Sequence, residues 1–199
     1  MQKGEQTRAS ILHQAVSMAS VRGFEGISIG RLANETGMSK SGLFGHFGSK
    51  EALQLAILDF VIEDFKLNVI GPALREPTGE TRLRALFGNW LDWTGSEPLT
   101  GGCPLVAASV ELDDQPGELR DYLVVQQEGW LDCIRRMAQK AVAEGVFRDG
   151  LDTRQFAFEF HGIGLAFNFA RRLLHDPSAR KRADTAVDRL IESAKALTP

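Results

Sequence analysis

A chain of 199 residues with 43% hydrophobic and 25% charged residues is long enough to bury a core and too apolar for disorder. The formal net charge of −3 argues against a uniformly basic nucleic-acid binder, yet residues 1 to 50 hold six basic side chains (Lys3, Arg8, Arg22, Arg31, Lys40, Lys50) against three acidic ones (Glu5, Glu25, Glu35), a balance of +3 that leaves −6 to the rest. Apolar runs are soon broken by charge or glycine, Met1 to Glu5 lack a signal-peptide pattern, and Cys103 and Cys133 stand outside any CxxC spacing, so we expect no membrane partner, a cytoplasmic place, reduced thiols and no metal or other cofactor.

From Thr7 to Arg22, Ile11, Leu12, Ala15, Met18 and Ala19 fall on one helical face, and Gly23 stops the helix. Ser28 is placed to cap a second, short helix that turns Ile29, Leu32 and Ala33 inward and ends at Thr36 and Gly37. Ser39 caps a third, with Leu43 and Phe47 four apart on its buried side. After Gly48, Ser49 caps a fourth that carries Leu53, Ala56, Ile57 and Phe60 and is expected to stop near Val69, before Gly71 and Pro72.

A fifth helix bears Leu83, Leu86, Phe87 and Trp90 and closes at Gly95; a short sixth covers Pro104 to Leu112 after an irregular stretch at Gly101 and Gly102. Pro116 suits the first turn of a long seventh helix ending at Gly145. Between Asp152 and His175 the phenylalanines Phe156, Phe158, Phe160, Phe167 and Phe169 alternate as a strand would, but the length, the Asp152 and Gln155 capping pair and the shared face of Phe156, Phe160 and Phe167 favour an eighth helix. The last begins near Pro177 and lines up Ala183, Ala186, Val187, Leu190, Ile191, Ala194 and Leu197. The pattern predicts an all-α fold of about nine helices.

Two short helices joined at Gly37, from Ser28 to Phe47, form a corner that can set the second helix into a DNA major groove. Its exposed face reads Ser39, Lys40, Ser41 and His46, with Lys50 opening the next helix. Gly42 and Gly45 each cost about 1 kcal/mol relative to alanine inside a helix, and close approach of backbone to DNA is a reason to carry them.

Rival chemistry is thinner. Gly26-Ile27-Ser28-Ile29-Gly30 matches the GxSxG of a hydrolase nucleophile elbow, but a helix precedes it where that motif needs a strand. His13, His46, His161 and His175 have no metal-binding spacing, and Gly162-Ile163-Gly164 lacks the third glycine of a dinucleotide fingerprint. A helical protein-binding adaptor is the other alternative, although it has no use for the Ser39, Lys40, His46 and Lys50 cluster.

The run Gly37-Met38-Ser39-Lys40-Ser41-Gly42-Leu43-Phe44-Gly45-His46-Phe47-Gly48-Ser49-Lys50-Glu51-Ala52-Leu53 resembles the signature segment of TetR-family repressors, and the likeness reaches back through Ala33 and Leu32 along the first helix. It implies a helix-turn-helix DNA-binding domain over residues 1–50 and a helical effector-binding and dimerisation domain over 51–199. It also implies a ligand-responsive repressor that binds a double-stranded operator as a homodimer and is not an enzyme. Ser28, Arg31, Ser39, Lys40, Ser41, Gly42, Phe44 and His46 fall at or near DNA on this likeness, with Lys50 on a phosphate. Phe44 stands where the family usually has a tyrosine that meets the DNA backbone, and its ring cannot donate that hydrogen bond.

In the body, Phe87, Trp90, Trp93, Trp130, Phe156, Phe160 and His161 supply more aromatic surface than packing requires and are candidates to line a pocket for an apolar or aromatic effector. Gly162, Ala166 and Ala170 recur every four positions and, with Val187, Leu190 and Ile191 of the last helix, are candidates for the dimer interface.

Overall fold

Serine and glycine punctuate the N-terminal helices in the computed structural model, which describes residues 3–196; Leu197, expected on the last helix, lies outside them. Helix α1 (Lys3–Arg22) ends where Gly23 takes φ +72°. Helices α2 (Ile29–Thr36), α3 (Lys40–Phe47) and α4 (Lys50–Phe65) follow within a few residues of one another. Each is opened by a serine whose Oγ accepts a backbone N–H in the first turn: Ser28 from Arg31 at 3.2 Å, Ser39 from Gly42 at 3.0 Å and Ser49 from Ala52 at 3.0 Å. Removing a cap of this type costs about 1 kcal/mol.

The chain does not stop at Val69. A π-helical turn (Lys66–Ile70) carries α4 into helix α5 (Gly71–Arg75), because the Gly71 N–H reaches back five residues to the Lys66 carbonyl and the helix restarts with Pro72 in its first turn. Pro72 has no N–H to add to the ladder, and its fixed φ of about −65° fits the helix that restarts there. Beyond lie α6 (Glu80–Trp93), α7 (Pro104–Glu111), α8 (Glu118–Ala143), α9 (Thr153–Arg172) and α10 (Ala179–Ala194). The phenylalanine-rich segment is helix α9, opened by Asp152, which accepts from the N–H groups of Arg154 and Gln155 at 2.9 and 3.0 Å. Among the described residues the extended pairing is a single antiparallel bridge, Phe147 with Lys195.

The helices divide into two compact units. The first is larger than residues 1–50: it continues to Asp64 and takes in Thr94–Val124. Its core is built from Ile11, Leu12, Phe24, Leu32, Leu43 and Ile57, each at most 3% exposed. The turn after α1 is pinned from two sides. Glu111, the last residue of α7, accepts the backbone N–H of Phe24 at 2.7 Å and of Glu25 at 3.0 Å, and the amide of buried Gln54 donates to the Phe24 carbonyl at 2.9 Å.

The second unit, Phe65–Trp93 with residues from Val125 onward, packs α10 against α9 and α6. Charge lies over this seam: Arg84 pairs with Glu80, Asp188 and Glu192, and Lys195 with Glu80 at 2.9 Å and Glu192 at 2.7 Å. Beneath it, Gly164 admits the indole of Trp90 so closely that a Cβ would sit 2.0 Å from the ring, whereas the Cβ of an alanine at Gly162 would meet nothing within 4 Å. Gly164→Ala is therefore expected to destabilise the protein by about 1–3 kcal/mol through overpacking, while Gly162→Ala gains up to about 1 kcal/mol of helix propensity. Thermal melts of the two variants check the opposite signs.

Candidate functional site

The corner between α2 and α3 is made by Gly37, at φ +65°, whose N–H donates to the Ala33 carbonyl, with Met38 N donating to the same oxygen at 3.1 Å. Leu32, Ala33, Leu43 and Phe47 face inward, so the opposite faces of both helices are turned to solvent. Ser28, Arg31, Ser39, Lys40, Ser41, Phe44 and Gly45 are exposed, and Gly42, His46 and Lys50 are half-buried. All nine residues expected at DNA thus belong to one unit and lie at the surface or half-buried in it.

The polar groups on this surface are partly ordered beforehand. Ser39 Oγ lies 3.1 Å from Ser41 Oγ while accepting the Gly42 N–H, and as a hydroxyl it can still donate to an anion. Lys40 lies back against α2: a Cβ on Gly30 would meet its Cε at 3.3 Å and its Nζ at 3.6 Å. Gly45 opens onto empty space, and the ring beside it, Phe44, is 57% exposed. Beneath them the Arg8 guanidinium stands 5.2 Å from the Phe47 ring centre, a cation resting on an aromatic face. Lys50 pairs with Glu25 at 3.3 Å, and both line a cleft of about 350 Å³ together with Leu55, Leu112, Leu119 and Arg120. Ser28, the serine of the hydrolase-like run, sits at the N-cap of α2 after a turn, not on the strand-to-helix elbow that a nucleophile of that class needs.

Sequence reasoning missed Glu25, Gln54 and Glu111. Glu111 alone left a signal: a carboxylate at a helix C-terminus opposes the macrodipole and gains by finding donors elsewhere.

In the second unit the aromatic candidates are brought together. Phe87 and Phe160 (ring centres 5.2 Å apart), Trp90 and Trp130 (5.3 Å), and Phe156 and Phe160 (6.2 Å) are in contact, and Phe65 links Trp93 to Trp130 at 5.1 and 5.0 Å. Six of the seven are buried, in rings packed edge to face or tilted. His161 is half-buried, stacked 5.6 Å from Trp90, and its Nδ1 accepts the Trp130 indole N–H at 3.1 Å. That bond fixes the neutral ring with its proton on Nε2.

The candidate dimer residues separate. Ala166 is exposed, and Gly162 and Ala170 are half-buried, but Val187, Leu190 and Ile191 are 4%, 8% and 0% exposed within the single chain. The apolar stripe of α10 packs against α9 and α6 within the chain. Exposed apolar side chains lie instead on α9, at Phe158, Leu165 and Phe169. Among the described residues no helix is long and apolar enough to cross a membrane, and no cluster of histidine, cysteine and carboxylate side chains could hold a metal.

Two family models match. Residues 11–57 fit "Bacterial regulatory proteins, tetR family" and residues 79–187 fit "Tetracyclin repressor-like, C-terminal domain". A TetR transcriptional regulator from Chloroflexus aurantiacus is 26% identical, with both chains covered in full and a TM-score of 0.89. Two others are likenesses of fold: AibR, solved with isovaleryl coenzyme A and operator DNA (21% identity, 94% of this chain and 97% of that one, TM-score 0.71), and a transcriptional regulator from Saccharomonospora viridis solved with choline (17%, 98% and 100%, TM-score 0.83). The search of curated proteins gave no match.

Burial holds the His161 imidazole below the ordinary histidine range, whose reference value is 6.5. Above that value the ring is neutral in both folded and unfolded chains and contributes nothing; below it the unfolded chain takes up a proton that the folded chain refuses, so stability falls with acidity. Unfolding free energies from urea titrations between about pH 7.5 and about pH 5 are expected to fall more for the wild type than for His161→Gln, by up to about 1.4 kcal/mol for a pKa one below the ordinary value. Parallel curves would show that burial of the His161 ring carries no such linkage.

Proposed function

The chain belongs to the TetR family of transcriptional regulators, and on that premise we propose that it is a ligand-responsive repressor that binds a palindromic operator as a homodimer and leaves it when a small apolar or aromatic effector binds. The observation that carries this reading is the pair of serine-capped short helices, α2 and α3, whose outer face offers Arg31, Lys40, Ser41 and His46 around a bare Gly45. Free N–H groups at the helix N-termini and a serine hydroxyl suit phosphate, and Lys40 is the cation nearest the start of the inserted helix. Phe44 supplies an apolar surface but no hydroxyl, so base preference depends on fewer polar contacts and more on DNA shape.

Two further observations support the finer parts. Phe158, Leu165 and Phe169 are 71%, 39% and 53% exposed on one helix that also bears the small Ala166, a surface that a second copy would cover. In the same unit, the cluster around Trp90 and Trp130 supplies apolar ring surface with one polar handle, the Nε2–H of His161, which suits an apolar effector carrying a hydrogen-bond acceptor. That the regulators similar in fold were solved with isovaleryl coenzyme A and operator DNA in one case and choline in another supports the expectation of both a DNA partner and a small effector. Two reading heads entering successive major grooves must stand about 34 Å apart, and release follows when an effector favours another spacing.

Lys50→Ala is expected to weaken binding uniformly across sequences and reduce the slope of log affinity against log salt by about one, as for loss of one phosphate contact. Lys40→Ala should also weaken binding. Gel-shift titration at fixed salt, on duplexes selected by the wild type from random DNA, measures both; unchanged affinity in both variants would refute this surface as the DNA contact. The dimer is tested separately: Ala166→Trp should shift sedimentation toward monomer, and a variant that still sediments as a dimer would show that α9 does not face the second copy.

A further inference from the structure

Glu25 is an acidic side chain set beside the cation that opens α4. Its carboxylate lies 3.3 Å from Lys50 Nζ, and the two side chains are 54% and 40% exposed, so either can exchange its partner for solvent or for DNA. The placement is built into the backbone. Glu111 accepts the N–H groups of Phe24 and Glu25, Gln54 donates to the Phe24 carbonyl, and Gln54 stands four residues after Lys50 on the same face of α4. The helix turn that anchors the loop through Gln54 therefore also carries Lys50 to Glu25. The Glu25 side chain takes no part in the Glu111 hydrogen bonds, which use its backbone N–H.

We propose that Glu25 is a positioning residue for DNA binding: its carboxylate holds Lys50 in the DNA-free chain and competes with a backbone phosphate for the same ammonium, keeping operator affinity below what the cations of the head alone would give. The inference rests on the reading of Lys50 as a phosphate contact. An exposed lysine–carboxylate pair is weak enough to exchange. When Lys50 transfers to DNA, the phosphate releases its counterion and the Glu25 carboxylate gives up its internal partner to solvent, a cost that offsets part of the gain.

The test is a double-mutant cycle on the full chain, with duplex DNA selected by the wild type from a random pool and fluorescence anisotropy read at several salt concentrations. Glu25→Gln is expected to tighten binding about two- to fivefold and to leave the log–log salt slope, which counts phosphate contacts, nearly unchanged. In a Lys50→Ala background the same substitution should tighten binding no more than removal of a charge elsewhere on the head does. Glu51→Gln, which removes an equal charge one residue beyond Lys50, should tighten binding less than Glu25→Gln. Equal tightening by Glu25→Gln with and without Lys50 would overturn the proposal, since Glu25 would then act through overall charge alone; unchanged affinity of Glu25→Gln in the wild-type background would overturn it too. If Lys50→Ala by itself leaves affinity unchanged, it is the phosphate reading of Lys50 that fails. Melting temperatures of the five proteins separate these outcomes from loss of fold.

Discussion

The carboxylate of Glu111 fixes the turn from which the DNA-reading corner departs. It accepts two successive backbone N–H groups, those of Phe24 and Glu25, at the point where α1 has ended and its helical hydrogen bonds have run out. Hydrogen bonds to a charged acceptor are worth about 1.5–3 kcal/mol each, more than a neutral pair. The fit also explains Gly23: its φ of +72° suits glycine, and a Cβ there would fall 1.5 Å from Glu111 Oε1. Gln54 closes the other side of the turn by donating to the Phe24 carbonyl from within the core. A loop that would otherwise tolerate variation is thereby joined to α7 and to α4, and the α2–α3 corner that follows it inherits its position.

The same contacts explain why the first compact unit is larger than the helix-turn-helix. A three-helix corner of about fifty residues buries a smaller fraction of its surface than a larger unit does. Adding α4 and the segment around α7 lets Phe24, Ile27 and Ile57 become fully buried. Functionally, the outer face is left with small and polar residues, Ser39, Ser41, Gly42 and Gly45, because the stability of α3 comes from Leu43, Phe47 and the caps rather than from its own helix propensity. A bare reading surface is affordable where packing on the opposite side holds the helix.

In the second unit, shape rather than charge decides the arrangement. Trp90 lies against Gly164, and around it Trp130, Phe87 and His161 meet ring to ring. Aromatic pairs of this kind favour edge-to-face geometry and add about 0.5–1.5 kcal/mol beyond area burial. His161 is the polar member of the group, its tautomer set by an indole. The salt-bridge network of Arg84 and Lys195 lies at the surface of the α6 and α10 seam, where such pairs contribute little individually and gain mainly by being linked.

Caps, periodicity and glycine placement were enough to locate the helices from the sequence, since each depends on neighbours within four residues. Ser28, Ser39, Ser49 and Asp152 open helices where their residue types suggested, and the α2–α3 corner turns at Gly37. The stop expected at Val69 failed because a π turn needs only a five-residue hydrogen bond, and no residue type announces one. The motif itself determined the family and the exposed face of α3, because inward Leu43 and Phe47 leave the intervening residues nowhere else to point. Which apolar stripe stays exposed was decided only by tertiary structure: the strongest one, Val187, Leu190 and Ile191, is buried inside the chain, while Phe158 and Phe169 remain outside. The partners of Glu111, Gln54 and Glu25 were likewise hidden until the fold joined them across gaps of 25 to 87 residues. Periodicity reports which side of a helix is apolar, whereas the partner of that side, or of a single carboxylate, is set by contacts between residues distant along the chain.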